Sequence, residues 1–210
     1  ILAAMLLPAL NKARDSAKRV LCSNNLHQLG VSWGSYGVDS NGTYPEFGRG
    51  LVSWPLGTFY INDQTIVWGF GTLYKAGYLT NEKVFFCPMS ESFSYEACKK
   101  SQYLPSCNTF YSSYSCFLGK ASALSQLIGV SEVDLGKLFA VSAASDPRTC
   151  TVMDNCLGQG DPLAFTWGSS HIANGMLLGG NALRNDGAVN WKNYKDMSLI
   201  GSGYGVFIYY

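Results

Sequence analysis

Charge is scarce in this chain. Asp, Glu, Lys and Arg together make up 14% of its 210 residues, and the formal net charge is +1. The usual share is about a quarter. A balance this near zero creates no field that would gather nucleic acid, so no nucleic-acid partner is expected. Histidine is scarcer still, with only His27 and His171. No C-x-x-C occurs, which argues against a zinc site of the familiar local spacing. No G-x-S-x-G elbow marks a hydrolase, and no D-x-D-x-D-G loop marks a calcium hand. Tandem repeats and low-complexity tracts are absent as well. The longest apolar opening, residues 1–10, is half of the roughly 20 residues needed to cross a bilayer.

What is abundant points elsewhere. There are 23 Gly, 13 Tyr, 11 Phe and 5 Trp. A turn-rich, aromatic chain of low charge reads as a secreted or surface domain more than as a cytosolic enzyme. Seven cysteines favour disulfides and an oxidising compartment. Cys22–Cys87 is one expected bridge, tying a helix to a strand end. Cys150–Cys156 and Cys98–Cys107 are expected local bridges, which leaves Cys116 as the unpaired thiol. Composition alone does not select among the pairings.

Residues 1–10, ILAAMLLPAL, fit two readings: the second half of a membrane helix, or a buried helix of a globular core. Lys12, Arg14, Lys18 and Arg19 follow. Basic residues beside an apolar segment mark a cytoplasmic flank, whereas the cysteines mark the opposite side, and the cysteines are given more weight. Cys22, Leu26, Leu29, Trp33 and Tyr36 then recur at helical spacing as one apolar stripe. Only Pro8 interrupts the pattern before Gly30. Residues 1–38 therefore read as one long helix, greasy at its start and amphipathic later.

The sequence ILAAMLLPALNKARDSAKRVLCSNNLHQLG resembles the N-terminal helix of type IV pilin-like proteins and type II secretion pseudopilins. It is similar above all to a planctomycete-type group of them. Cys22, Asn25, Leu26, Gln28, Leu29 and Gly30 match that group's first segment. Tyr36, Asp39, Gly42, Tyr44 and Pro45 match its following turn. LYKAGYL, VFFCP and SDPRTCTVMDN resemble its later short helix, its Cys-Pro strand end and its strand ending in Asp. His171, Asn181, Asp186, Gly187, Val189 and Trp191 resemble its C-terminal His to Asp-Gly hairpin, here with a wider His-to-Asp spacing. The group's cleavage site, and the single Glu of its apolar run, are expected upstream of residue 1.

The resemblance implies an α+β fold with a long helix laid on a small antiparallel sheet, and residues 39–210 as the head. It implies a filament subunit without enzymatic activity, held in the inner membrane before assembly and then part of a periplasmic or extracellular polymer. The partners implied are copies of the chain itself, the inner-membrane assembly machinery and a prepilin peptidase. Ile1, Leu2, Met5, Leu6, Leu7, Pro8 and Leu10 would form the filament core. Cys22, Leu26, Leu29, Trp33 and Tyr36 would face the sheet.

The residues themselves give the rest of the layout. Residues 37–58 read as a loop, 69–79 as a short helix ending near Gly77, and 83–87 as a strand. Residues 89–120 read as a stapled loop with short strands, and 121–138 as a helical turn or two. RTCTVMD reads as a strand. Residues 175–192 read as a hairpin turning at Asn185-Asp186-Gly187, and GYGVFIYY as a final strand. Asp154, Asp161 and Asp186 are the candidate calcium ligands, the one cofactor considered, against the plainer reading of Asp in turns. Ser169 or Ser170 with His171 and Asp186 would make a hydrolase set, against a hydrogen-bonding structural His. Asn41-Gly42-Thr43 is a glycosylation-type sequon whose plainer reading is turn chemistry. A secreted carbohydrate-binding or adhesin module is the alternative function, with Trp33, Trp54, Trp68, Trp167 and Trp191 as stacking faces.

Overall fold

The structure is a computed structural model. It describes residues 2–44, 56–61, 69–91, 93–100, 109–116, 144–154, 157–159, 170–173, 176–197, 199–203 and 206–209. The first element is a single helix, α1, over Leu2–Asp39, with Pro8 inside it. At 1.5 Å per residue it is about 57 Å long. It stops where the backbone turns left-handed at Asn41 (φ 51) and Gly42 (φ 79). There the Gly42 amide donates to the Gly37 carbonyl at 2.7 Å and closes the last turn. No described helix is long and apolar enough to cross a membrane.

Among the described residues ten strands follow: β1 (Leu56–Ile61), β2 (Thr109–Cys116), β3 (Cys150–Asp154), β4 (Leu157–Gln159), β5 (Ile172–Ala173), β6 (Met176–Leu177), β7 (Gly179–Arg184), β8 (Val189–Asn193), β9 (Leu199–Gly203) and β10 (Val206–Tyr209). The main sheet is antiparallel, in the order β1-β2-β3-β7-β8. Two smaller ladders, β4-β10-β9 and β5-β6, stand apart from it. Short helices α2 (Phe70–Lys75) and α3 (Tyr95–Lys100) and 3₁₀ turns at Glu82–Phe85 and Tyr194–Asp196 complete the α+β fold.

The expected stripe is the face of α1 that packs. Cys22, Leu26 and Leu29 are fully buried and Trp33 almost so, while Tyr36 is half-buried against Tyr78. At Gly30 the helix passes β7 so closely that a Cβ would stand 2.9 Å from Leu183 Cδ1. Trp33 packs edge-on to Tyr44 and tilts against Phe70, which in turn meets Phe85. This aromatic run joins α1, α2 and the 3₁₀ turn at Glu82–Phe85 within a core that also holds Tyr114, Val152 and Leu183 of the sheet.

The hairpin is where it was expected. β7 and β8 pair from Gly179↔Asn193 to Leu183↔Val189, and Gly187 (φ 83) supplies the left-handed turn. α2 ends before Gly77 (φ 81), and RTCTVMD holds β3. One expectation fails. Residues 83–87 are not a strand but the 3₁₀ turn Glu82–Phe85 and its exit. The Asn81 side chain accepts from the Lys83 amide at 3.1 Å and captures the first turn. Val84, Phe85, Phe86 and Cys87 are all buried in succession, so no period-two alternation holds them extended. Within 37–58, the helix runs to Asp39 and β1 begins at Leu56; within 89–120 lie α3 and β2. The helical turns expected at 121–138 fall outside the described residues.

Candidate functional site: a buried thiol, carboxylate and imidazole cluster

Four polar side chains from separate parts of the chain meet beneath α1. Cys22 comes from the helix stripe, and Cys87 from the exit of the first 3₁₀ turn. Asp154 ends β3, and His171 directly precedes β5. The Sγ atoms of Cys22 and Cys87, a ring nitrogen of His171 and a carboxylate oxygen of Asp154 all lie within 4.8 Å of one another. None of the four is more than 1% exposed.

The contacts are specific. The Cys22 thiol donates to Asp154 Oδ1 at 3.0 Å. His171 Nε2 lies 2.9 Å from Asp154 Oδ2 and 3.5 Å from Cys87 Sγ. The same Oδ2 accepts from the Asn181 backbone amide at 2.6 Å and from Asn181 Nδ2 at 3.0 Å. The Tyr114 hydroxyl stands 3.4 Å from Cys22 Sγ and accepts from Asn25 Nδ2 at 3.4 Å. His171 Nδ1 faces Met89 Sδ at 3.1 Å, and the ring meets Trp191 edge-on at 5.1 Å. Arg19 of α1 covers Trp191 with its guanidinium 5.2 Å from the ring centroid. His171 holds this position with a left-handed backbone, φ 57. Such strain in a non-glycine residue persists only where its surroundings enforce it.

Electrostatics follow from burial and crowding. Burial disfavours the His171 imidazolium, but the Asp154 carboxylate outweighs it and raises the group to about 10. Burial also pushes the Cys87 thiol up; hydrogen bonding from Cys22 and the nearby His171 bring it down to about 7. Burial, Cys87 and Asp154 all push the Cys22 thiol well above its ordinary value.

This is not a nucleophile–base–orienter relay. Such a relay needs the thiol on one imidazole nitrogen and the carboxylate on the other. Here Cys87 and Asp154 share Nε2, and Nδ1 meets a thioether. Nor does the hydrolase set assemble among the described residues, outside which Ser169 lies. The Ser170 hydroxyl donates to the Ser113 carbonyl at 3.4 Å. Asp186 accepts from Arg184 at 2.6 Å and from the Ala188 amide at 3.0 Å within the β7–β8 turn.

The calcium set does not come together either. Asp154 lies beside Asn181 at one end of the β3–β7 pairing. Asp186 lies past Arg184, which pairs with Cys150 at the other end. At 3.3 Å per residue that is about 13 Å of strand. Asp161 is outside the described residues. Cys22 and Cys87 are neighbours, as expected, but as free thiols and not as a bridge. Cys116 and Cys150 are buried in β2 and β3, and Cys150 is a thiol that donates to the Val152 carbonyl at 3.6 Å and not half of the expected bridge to Cys156; the side chains of Cys98, Cys107 and Cys156 lie outside the described residues. Trp33 is in the core and Trp191 sits under Arg19; Trp54, Trp68 and Trp167 are not described.

A second feature lies on the opposite side of α1. Leu6, Leu10, Ala13, Ala17, Val20, Asn24, His27, Val31, Gly34 and Val38 alternate three and four residues apart, and all are exposed. At about 100° per residue this seam points about 180° from the Cys22–Trp33 stripe. No Asp, Glu, Lys or Arg interrupts it. Asp15, Lys12, Arg14, Lys18 and Arg19 fall on the remaining faces. The seam escapes a search for apolar runs because two alanines, Asn24, His27 and Gly34 dilute it; a heptad count would have found it. Ile1 and the side chains of Leu2 and Met5 are outside the described residues. Against family models, curated proteins and solved structures alike, the chain finds no match.

Proposed function

We propose that the chain is a structural subunit that assembles with copies of itself along α1, as a pilin-like or pseudopilin filament protein does. The observation that carries this reading is the exposed seam. Leu6 is 67% exposed, Leu10 65% and Val31 71%, on a helix whose other face is buried in the head. Apolar positions kept at heptad spacing over several turns suit packing against another helix. The small seam residues Ala13, Ala17 and Gly34 allow close approach at their positions, as between helices that meet in or near lipid. From Leu6 to Ala17 every residue is exposed, so this part of α1 stands clear of the head. Leu7, 62% exposed, adds apolar surface beside the seam there.

The resemblance noted above supplies the biological setting: an inner-membrane stage before assembly, then a periplasmic or extracellular polymer. The test is electron microscopy and sedimentation of the gene's full product, intact and as Leu10→Lys and Val31→Lys. The expected result is filaments from the parent and none from the charged variants, with heads that melt as the parent does. Charged variants that polymerise normally would exclude the seam as the contact.

A further inference from the structure

We propose that Cys22, Cys87, Asp154 and His171 form a closed zinc site that fastens α1 to the sheet. The donor set decides the kind of metal. Two sulfurs and an imidazole suit a borderline-soft ion and are poor ligands for calcium or magnesium, which take oxygen. The spacing fits as well. Zinc bonds of about 2.3 Å to sulfur and 2.0–2.1 Å to nitrogen or oxygen, at tetrahedral angles, place ligand atoms about 3.3–3.8 Å apart. Cys22 Sγ lies 3.0 Å from Asp154 Oδ1, and His171 Nε2 lies 3.5 Å from Cys87 Sγ and 2.9 Å from Asp154 Oδ2, within that range or a few tenths of an ångström short of it, and the four ligand atoms all lie within 4.8 Å of one another.

The surroundings are those of ligands held in place. Asn181 grips Asp154 with two hydrogen bonds, one from the backbone. Tyr114 and Asn25 brace Cys22. Trp191 walls the His171 ring. Outer partners of this kind orient ligands and tune the ion. With four protein ligands and no solvent exposure, the site leaves no position for substrate and is structural. Two thiolates and one carboxylate balance all but one charge of the set against the ion. Burying them without a shared cation is costly.

The proposal is independent of self-assembly, and its readouts are taken on the dispersed protein. Protein purified under reducing conditions, stripped of metal and refolded, is titrated with cobalt(II) and then with zinc(II). One cobalt per chain should bind, with visible bands of tetrahedral intensity and a thiolate-to-cobalt band in the near ultraviolet. Zinc should displace it and raise the melting temperature. Cys87→Ser should weaken the thiolate band and lower zinc affinity at least about a hundredfold. Asn181→Ala, which leaves all four ligands, should lower it about ten- to a hundredfold. The seam variant Leu10→Lys should bind as the parent does. A six-coordinate cobalt spectrum without a thiolate band would overturn the proposal. So would a Cys22–Cys87 disulfide in the native protein, found by mass spectrometry after trapping of free thiols. Because the parent spectrum alone decides the matter, a variant that fails to fold does not blunt the test.

Discussion

One substitution made at two places on the same helix separates the two faces of α1. Leu26 has no exposed surface, whereas Leu10 is 65% exposed. Leu26→Ala removes buried methyl and methylene groups from the contact with the sheet and leaves a cavity between helix and core. Buried leucines of this kind cost about 3–4 kcal/mol when truncated. With a urea slope of about 2–3 kcal/mol per molar, the midpoint should fall by about 1–2 M. Leu10→Ala loses no core contact, and alanine favours helix at least as well as leucine. Its monomer midpoint should move by less than about 0.2 M. In the proposed polymer the order should reverse. Losing about 2 kcal/mol of apolar burial per contact raises the critical concentration about thirtyfold. Urea melts followed by tryptophan fluorescence, and sedimentation across a dilution series, measure both quantities. If Leu10→Ala destabilised the monomer as much as Leu26→Ala, the seam would be packed within the chain and the argument for assembly would fail.

Other outcomes are equally definite. Gly179 has φ 149, and a Cβ there would collide with the Lys192 carbonyl and with the Trp191 ring. Gly179→Ala should cost about 3 kcal/mol or more in urea melts, whereas Gly187→Ala, with φ 83 and open space, should cost about 1–2 kcal/mol. Arg19→Ala should quench or shift Trp191 emission and cost about 0.5–1 kcal/mol. In metal-free protein, His171 is raised from 6.5 to about 10, so its share of stability is full below pH 6.5 and lost as pH rises through 10. Cys87 is lowered from 9.0 to about 7, so its share is present above pH 9 and lost as pH falls through 7. The two offset between pH 7 and 9, and the buried Cys22 and Tyr114, both raised, add to a decline above pH 9. Cys87→Ser should abolish the plateau, so that its urea midpoint falls steadily from about pH 6.5 upward.

Elements built on local signals were legible in the sequence. The stripe Cys22, Leu26, Leu29 and Trp33 needs only helical spacing, and the β7–β8 turn needs only Asn185-Asp186-Gly187. The 3₁₀ turn Glu82–Phe85 was hidden because VFFC is equally apolar whether extended or coiled, and the deciding feature is a single Asn81 cap. The cluster was hidden for a different reason. Its members come from four segments separated in sequence, and only the fold makes them neighbours. Cys22 and Cys87 could be matched as a pair. Nothing local to Asp154 or His171 told that they complete the same site. In the sequence Asp154 reads instead as part of an oxygen-only calcium set, whose other described member, Asp186, serves the hairpin turn.

Pro8 sits within α1 and brings no amide hydrogen, so the carbonyl one turn earlier loses its donor. In the filament proposed above that would be a built-in point of compliance. Each helix would flex at Pro8 while the length from Cys22 to Trp33, buried against the core, keeps its head at a constant orientation. Tension on such an array would be absorbed at the prolines before it reached any sheet.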